Sequence, residues 1–393
     1  MPAPPFSATA GRLLGATVLG LLALVGVYSA SRGKPASSVH APAQPVVVVA
    51  RSNVAPGCRL PASPLLQPYR CGGRYAGAFN QAIPAGTPTA PQSAAIVAQM
   101  ISSMRQARVV LDENNSVPGV WVASASDPVW RVTSSTGLRT IRFRIPAGAR
   151  PAPGADGPMV VDDPDSATYG PDTELRVYQG RMDVATHTLS TTEYGLIHYG
   201  RNSDGRPFYG YGTGYGLSWA GLIRPWEVSN GAIDHALRVA APVDSSAHPL
   251  PAISSDCRTS TSNPCNGLIA EGLRLQLSPS VDCATRTVPF ADPGGLDTRF
   301  LDEICRALQV YGMIIVDGSG DPNQYVLEME EGTEVGGSAP WDSILNPPDQ
   351  DLWGNIIRDV NADATGDGVS RNASTGIPWN ELRVLSTGVF ASR

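Results

Sequence analysis

The sequence predicts a mainly β fold, a β-sandwich or jelly-roll-like domain carrying one or two short helices. Three observations predict it. Short apolar runs recur along the chain, several of them alternating with period two. Turn signals such as Asp156-Gly157, Asp204-Gly205 and Asp317-Gly318 separate those runs. Finally, 41 Gly and 35 Pro among 393 residues argue against helical bundles and coiled coils.

The elements follow in order. Arg12 precedes an apolar stretch from Leu13 to Val27, and the small residues Ser29, Ala30 and Ser31 come next. Residues 1–30 therefore read as a signal peptide or an N-terminal anchor. Residues 31–94 are rich in Pro, Ala and Ser and read as a linker with a disulfide-closed loop. A single β-rich domain is expected over 95–393. Its first element is a helix capped by Ser93, with Ile96, Val97, Met100, Ile101 and Met104 on one face. The period then switches to two: Ile141, Phe143 and Ile145 take one face of a strand, and Arg142 and Arg144 the other. Further strands are expected at 120–123, 129–132, 159–161, 175–178, 236–239, 273–277, 313–316, 325–329 and 382–385. A late helix, capped by Asp297 or Thr298, carries Phe300, Leu301, Ile304, Cys305 and Leu308, and Gly312 closes it.

Composition bounds the function. Net charge is −6, charged residues are 16% of the chain, and no Lys/Arg cluster is present to neutralise a run of phosphates, so nucleic acid is not an expected partner. No segment beyond the N-terminal one reaches the length of a membrane span. The cysteines Cys58, Cys71, Cys257, Cys265, Cys283 and Cys305 are even in number and grouped along the chain. The grouping favours the local pairs Cys58–Cys71, Cys257–Cys265 and Cys283–Cys305, fastening long loops rather than building the core. Disulfides and an export signal together place the protein outside the cytoplasm: secreted, periplasmic or on the cell surface.

The densest chemistry lies between Tyr194 and Leu237. This stretch holds Tyr211, Tyr215, Trp219, His198, Arg224 and His235 among many glycines. Aromatic faces stack on sugar rings, and glycines allow close backbone approach. Its later part reads as a short helix from Pro225 to a closing Gly231, then a strand. On that strand His235, Leu237 and Val239 share one face, and Asp234 and Ala236 the other.

The run from Gly221 to Leu237 (GLIRPWEVSNGAIDHAL) resembles a signature of secreted bacterial β-rich proteins. Echoes include Ile145-Pro-x-Gly148, Asp156-Gly157 and Gly376-Ile-Pro-Trp-Asn-Glu-Leu-Arg-Val384. The resemblance implies an exported, β-rich, single-domain protein and carries no established activity or catalytic residue across. In those proteins a His follows the Asp-Gly, whereas this chain has Pro158.

Four constellations remain open to two readings each. His235, beside Asp234, is either a general base or a buried His that fixes the entry to its strand. Tyr215 is a proton donor for polysaccharide β-elimination, with Arg224 neutralising a uronate and Trp219, Tyr211 and His198 binding sugar, or the segment simply fills a twisted loop. Glu328 and Glu330 would share a strand face about 6.6–7 Å apart, as a glycosidase pair or as an ordinary solvent face. Asp359, Asn361 and Asp363 begin a calcium loop of EF-hand type, but Ala364 and Ser370 stand where such a loop needs Gly and Glu. That stretch is a calcium site or a hydrated turn.

The expectation is an exported carbohydrate-active protein, a lyase or glycoside hydrolase acting on an extracellular or envelope polysaccharide. The rivals are a non-catalytic carbohydrate-binding or adhesion module, and a structural envelope protein.

Overall fold

A computed structural model describes residues 79, 81–106, 108–112, 117–154, 156–170, 173–198, 207–210, 220–250, 252, 254–257, 264–288, 292, 294–319, 324–330, 341 and 375–386. All belong to the unit Val54–Arg393. The protein is mainly β. Helix α1 (Ser93–Gln106) leads into β1 (Arg108–Asp112), β2 (Gly119–Val122), β3 (Val129–Ser134) and β4 (Ile141–Arg144). Next come β5 (Met159–Asp163), β6 (Thr173–Tyr178), β7 (Arg181–Asp183), β8 (Thr188–Thr191), β9 (Glu193–His198) and β10 (Pro207–Gly210). Helix α2 (Pro225–Asn230) precedes β11 (Leu237–Ala241) and β12 (Arg274–Leu277). Helix α3 (Leu296–Val310), β13 (Met313–Gly318), β14 (Gln324–Glu328) and β15 (Leu382–Val384) complete the order.

The strands form three sheets. A six-stranded sheet runs β1-β14-β11-β13-β12-β15, a five-stranded sheet β10-β9-β6-β5-β2, and a four-stranded sheet β4-β3-β8-β7. Each contains parallel and antiparallel pairs; β1 with β14, β11 with β13, β2 with β5 and β3 with β8 are parallel.

The hydrophobic clusters show how the layers stack. On one face of the six-stranded sheet, Leu237, Val239, Leu275, Met313, Ile315 and Leu327 pack with Met100 of α1, Val228 of α2 and Phe300 and Ile304 of α3. Its other face, through Ala236, Ile314 and Val316, meets Val120 and Val160 of the five-stranded sheet. The far face of that second sheet, through Met159, Val161, Leu175 and Val177, packs on Trp130, Val132, Ile141 and Phe143 of the third. Helices and three sheets thus form successive layers, with two sheet-on-sheet interfaces.

Layer position explains the burial patterns. The third sheet has a wet face, and β4 shows the expected alternation, with Ile141 and Phe143 buried. Strands β5 and β11 belong to sheets covered on both faces and are buried at every residue. Their polar side chains must then be partnered. Arg176 Nε donates to Glu174 Oε1 at 2.8 Å within β6, and Arg238 Nε of β11 lies 2.6 Å from Glu328 Oε2 of β14.

Local signals were met with some exchanges of partner. Ser93 does not cap α1; its hydroxyl accepts from Val384 N–H at 2.8 Å and fixes β15 to the helix start. Helix α3 begins after Gly295 in the left-handed region, and Asp292, not Asp297 or Thr298, supplies the cap, accepting from Thr298 N–H at 2.8 Å. Gly312, at φ 75°, ends the helix by donating to Ala307 O. The disulfides Cys257–Cys265 and Cys283–Cys305 are present. The expectation that bridges only fasten loops fails for the second: Cys305 is fully buried on α3, and both cysteines belong to the helix-side core. Cys58, Cys71 and the N-terminal apolar stretch lie outside the described residues. Among the described residues, no helix is long and apolar enough to cross a membrane.

Candidate functional site

Helix α2 forms as the sequence predicts, but the strand after it begins at Leu237, so Asp234 and His235 precede β11 instead of lying on it. Pro225 opens the helix and Gly231 closes it at φ 75°. Arg224 is the N-cap residue, and its N–H donates to Glu227 Oε2 at 2.9 Å. The Arg224 guanidinium grips Glu330 through Nε (2.9 Å) and Nη2 (3.3 Å). With 5% exposure, Arg224 is turned into the protein and not towards a uronate in solvent. Glu330 is buried too, as is Glu328, and each meets a different arginine. The two carboxylates of this strand form neither a solvent face nor a catalytic pair.

His235 is 0% exposed. Its Nδ1 lies 2.8 Å from Ala236 O, and its Nε2 lies 3.2 Å from Glu227 Oε2. Asp234 is exposed whereas His235 is enclosed. The arrangement joins α2 to the strand that follows. His235→Ala is expected to lower stability by roughly 1–3 kcal/mol, since buried acceptors lose their partner. Thermal melting should show the loss, and any turnover should fall only with the folded fraction.

His198 ends β9. Tyr211, Tyr215, Trp219, Asp359, Asn361 and Asp363 lie outside the described residues.

The structure assembles a different site, and Asp317, expected in a turn with Gly318, lies inside β13. Asp256, Glu271 and Asp317 bring one carboxylate oxygen each to within 4.8 Å of one another. Asp256 follows the loop after β11, Glu271 precedes β12, and Asp317 stands near the end of β13. The bulge in the β11–β13 pairing matters here: Val239 pairs with Ile315, but Ala240 pairs with Asp317. Plain alternation would send Asp317 to the helix side with Ile315. The extra residue re-aims it to the side where Arg238 and Glu328 act on it. Asp256 N–H donates to Glu271 Oε2 at 2.8 Å, and the Cys257–Cys265 bridge holds the adjoining chain.

Burial pushes both Glu271 and Asp317 up; the Asp256 charge adds to Glu271, and a side-chain hydrogen bond with Asp256, then its charge, add to Asp317. Glu271 is raised to about 8. Asp256 and Asp317 are partly exposed, whereas Glu271 is fully buried behind them.

A phenol joins this rim from the facing sheet. Tyr178, the last residue of β6, donates to Asp156 Oδ1 at 3.1 Å. Burial, then the Asp156 charge and hydrogen bond, then the Asp317 charge raise its pKa, so the phenol keeps its proton. The backbone holds this corner firmly: Gln179 N–H donates to Asp156 O at 2.6 Å and Gly180 N–H to Gly157 O at 3.0 Å. Gln179 adopts φ 55°, an uncommon value for a residue with a side chain. The Asp156-Gly157 turn was legible; that it grips Tyr178 within reach of the Asp317 charge was not.

Comparison with family models, with curated proteins and with solved structures finds no match.

Proposed function

We propose that the protein is an exported carbohydrate-active enzyme that cleaves an acidic extracellular or envelope polysaccharide by β-elimination. The observation that carries this reading is the Tyr178–Asp156 pair at 3.1 Å, partly exposed and close enough to Asp317 to feel its charge. The two disulfides fit a non-reducing compartment, and the N-terminal apolar stretch supports export.

Elimination needs a base for the proton next to the uronate carboxyl group and an acid for the leaving oxygen. In the proposed cycle Asp156 takes the C5 proton, and that electron pair forms the C4–C5 double bond as the C4–O bond breaks. Tyr178 gives its proton to the departing oxygen. The proton on Asp156 then crosses to the phenolate, restoring both groups without a further reactant. This reading moves the donor from Tyr215 to Tyr178 and relieves Arg224, committed to Glu330, of the uronate.

The test incubates the mature protein with a panel of acidic and neutral polysaccharides while following 235 nm absorbance and reducing ends together. Elimination raises both signals, and Tyr178→Phe should then lower turnover at least about 100-fold without lowering the melting temperature. Reducing ends without absorbance would replace the mechanism by hydrolysis. Retention of a glycan with no product would make the protein a binding module.

A further inference from the structure

We propose that Asp256, Glu271 and Asp317 form a binding site for a divalent cation, of the calcium type. The first support is geometric. Oxygens sharing one calcium at about 2.3–2.6 Å lie no more than roughly 5 Å apart, and these three carboxylates converge within 4.8 Å. The second support is independent of the clustering. Glu271 is 0% exposed, yet its Oε1 has no hydrogen-bond partner among the described residues. A carboxylate oxygen buried without a donor costs several times what a paired one does, and a cation is the ligand that satisfies it. The Asp256 N–H occupies the other oxygen, Oε2, and the Asp256 and Ser255 side chains also act on the carboxyl group.

The local charge balance points the same way. Among the described residues Arg238 lowers the pKa of Asp317, and its Nε already lies 2.6 Å from Glu328 Oε2. An all-oxygen donor set without His or Cys suits a hard cation rather than zinc or copper. Partial exposure of Asp256 leaves room for water or a substrate oxygen to complete the coordination. The site differs from the Asp359, Asn361 and Asp363 loop singled out in the sequence, and it stands whether or not the protein cleaves a polysaccharide. If elimination is the chemistry, a cation here is placed to neutralise the uronate next to Tyr178.

Calorimetry of the chelator-treated full protein with calcium chloride alone tests the site at neutral pH. One saturable equivalent is expected, with a Kd in the range of about 10⁻⁵–10⁻³ M and a calcium-dependent rise in melting temperature. Asp317→Asn and Asp256→Asn should each weaken binding at least about tenfold. Both are near-isosteric, and each should melt without calcium close to the parent temperature. That melt, with far-UV circular dichroism, separates loss of the ion from loss of the fold. Asp359→Asn should bind as the parent does. The proposal is overturned if the parent shows neither heat nor a melting shift up to about 10 mM calcium, if folded Asp317→Asn and Asp256→Asn both keep the parental Kd, or if Asp359→Asn alone abolishes binding. Because no polysaccharide is present, failure here leaves the elimination chemistry to its own test.

Discussion

Glu330→Ala is expected to destabilise the protein by roughly 3–5 kcal/mol, the usual consequence of taking one partner from a buried ion pair. Glu330 is the acceptor of two Arg224 bonds, at 2.9 and 3.3 Å, where both side chains are almost wholly enclosed. The same guanidinium stands at the start of α2, whose Glu227 reaches His235, so the loss propagates into the junction between α2 and β11. Trp341 also donates its indole N–H to Glu330 O, at 3.0 Å, across the helix-side core. A surface pair supplies the contrast. Arg306 and Asp302 on α3 lie 2.8 Å apart, but their side chains are 55% and 30% exposed. Arg306→Ala should therefore cost no more than about 1 kcal/mol. Urea unfolding of the two variants measures both. Equal, small losses would show that the buried pair contributes little.

Stability should fall as pH rises from about 4.5 to about 8, and Glu303→Gln should remove a large part of that slope. Glu303 on α3 is 4% exposed, and neither carboxyl oxygen has a hydrogen-bond partner among the described residues. Burial raises its pKa from 4.5 to about 8; the Asp302 and Glu227 charges add to the rise, and Arg299, 3.7 Å away, opposes it. A folded-state value above the unfolded one means that the native protein holds the extra proton between the two. Stability is then fully present below about pH 4.5 and is lost as pH climbs through about 8. The window of some three and a half units corresponds to a few kcal/mol at most. Glu303→Gln keeps the shape and cannot ionise, so the variant should gain stability over its parent at pH 8–9 and match it near pH 4. Denaturant midpoints at both pH values decide. Parallel curves for parent and variant would show that Glu303 ionises as freely in the fold as outside it. Glu271, also raised to about 8, contributes to the parental slope, so the difference between the two proteins is the quantity that counts.

Much of the fold was legible where a segment carries its own physics. The Ile141, Phe143 face follows from period two because the third sheet keeps one face in water. The limits of α2 follow from Pro225 and Gly231, each suited by its own backbone torsion to one end of a helix. Cys257–Cys265 and Cys283–Cys305 are close in sequence and paired locally. What covers a face was not legible. Periodicity reports that Glu328 and Glu330 alternate with apolar residues, but it cannot tell a solvent face from one pressed against a second sheet.

The sequence by itself determined the β-rich character, the limits of α2 and the two local bridges. Each depends on a few consecutive residues or on totals. Only the tertiary structure decided which strands lie side by side, which arginines neutralise which buried carboxylates, and where chemistry can occur. His235 stood out in the sequence yet is enclosed between Ala236 O and Glu227. Asp256 and Glu271 lie in the connection between β11 and β12, Asp317 in β13 and Tyr178 in β6, and no spacing links them. A bulge, a fully buried glutamate and the facing of two sheets bring them together, and those are long-range outcomes that no local pattern encodes.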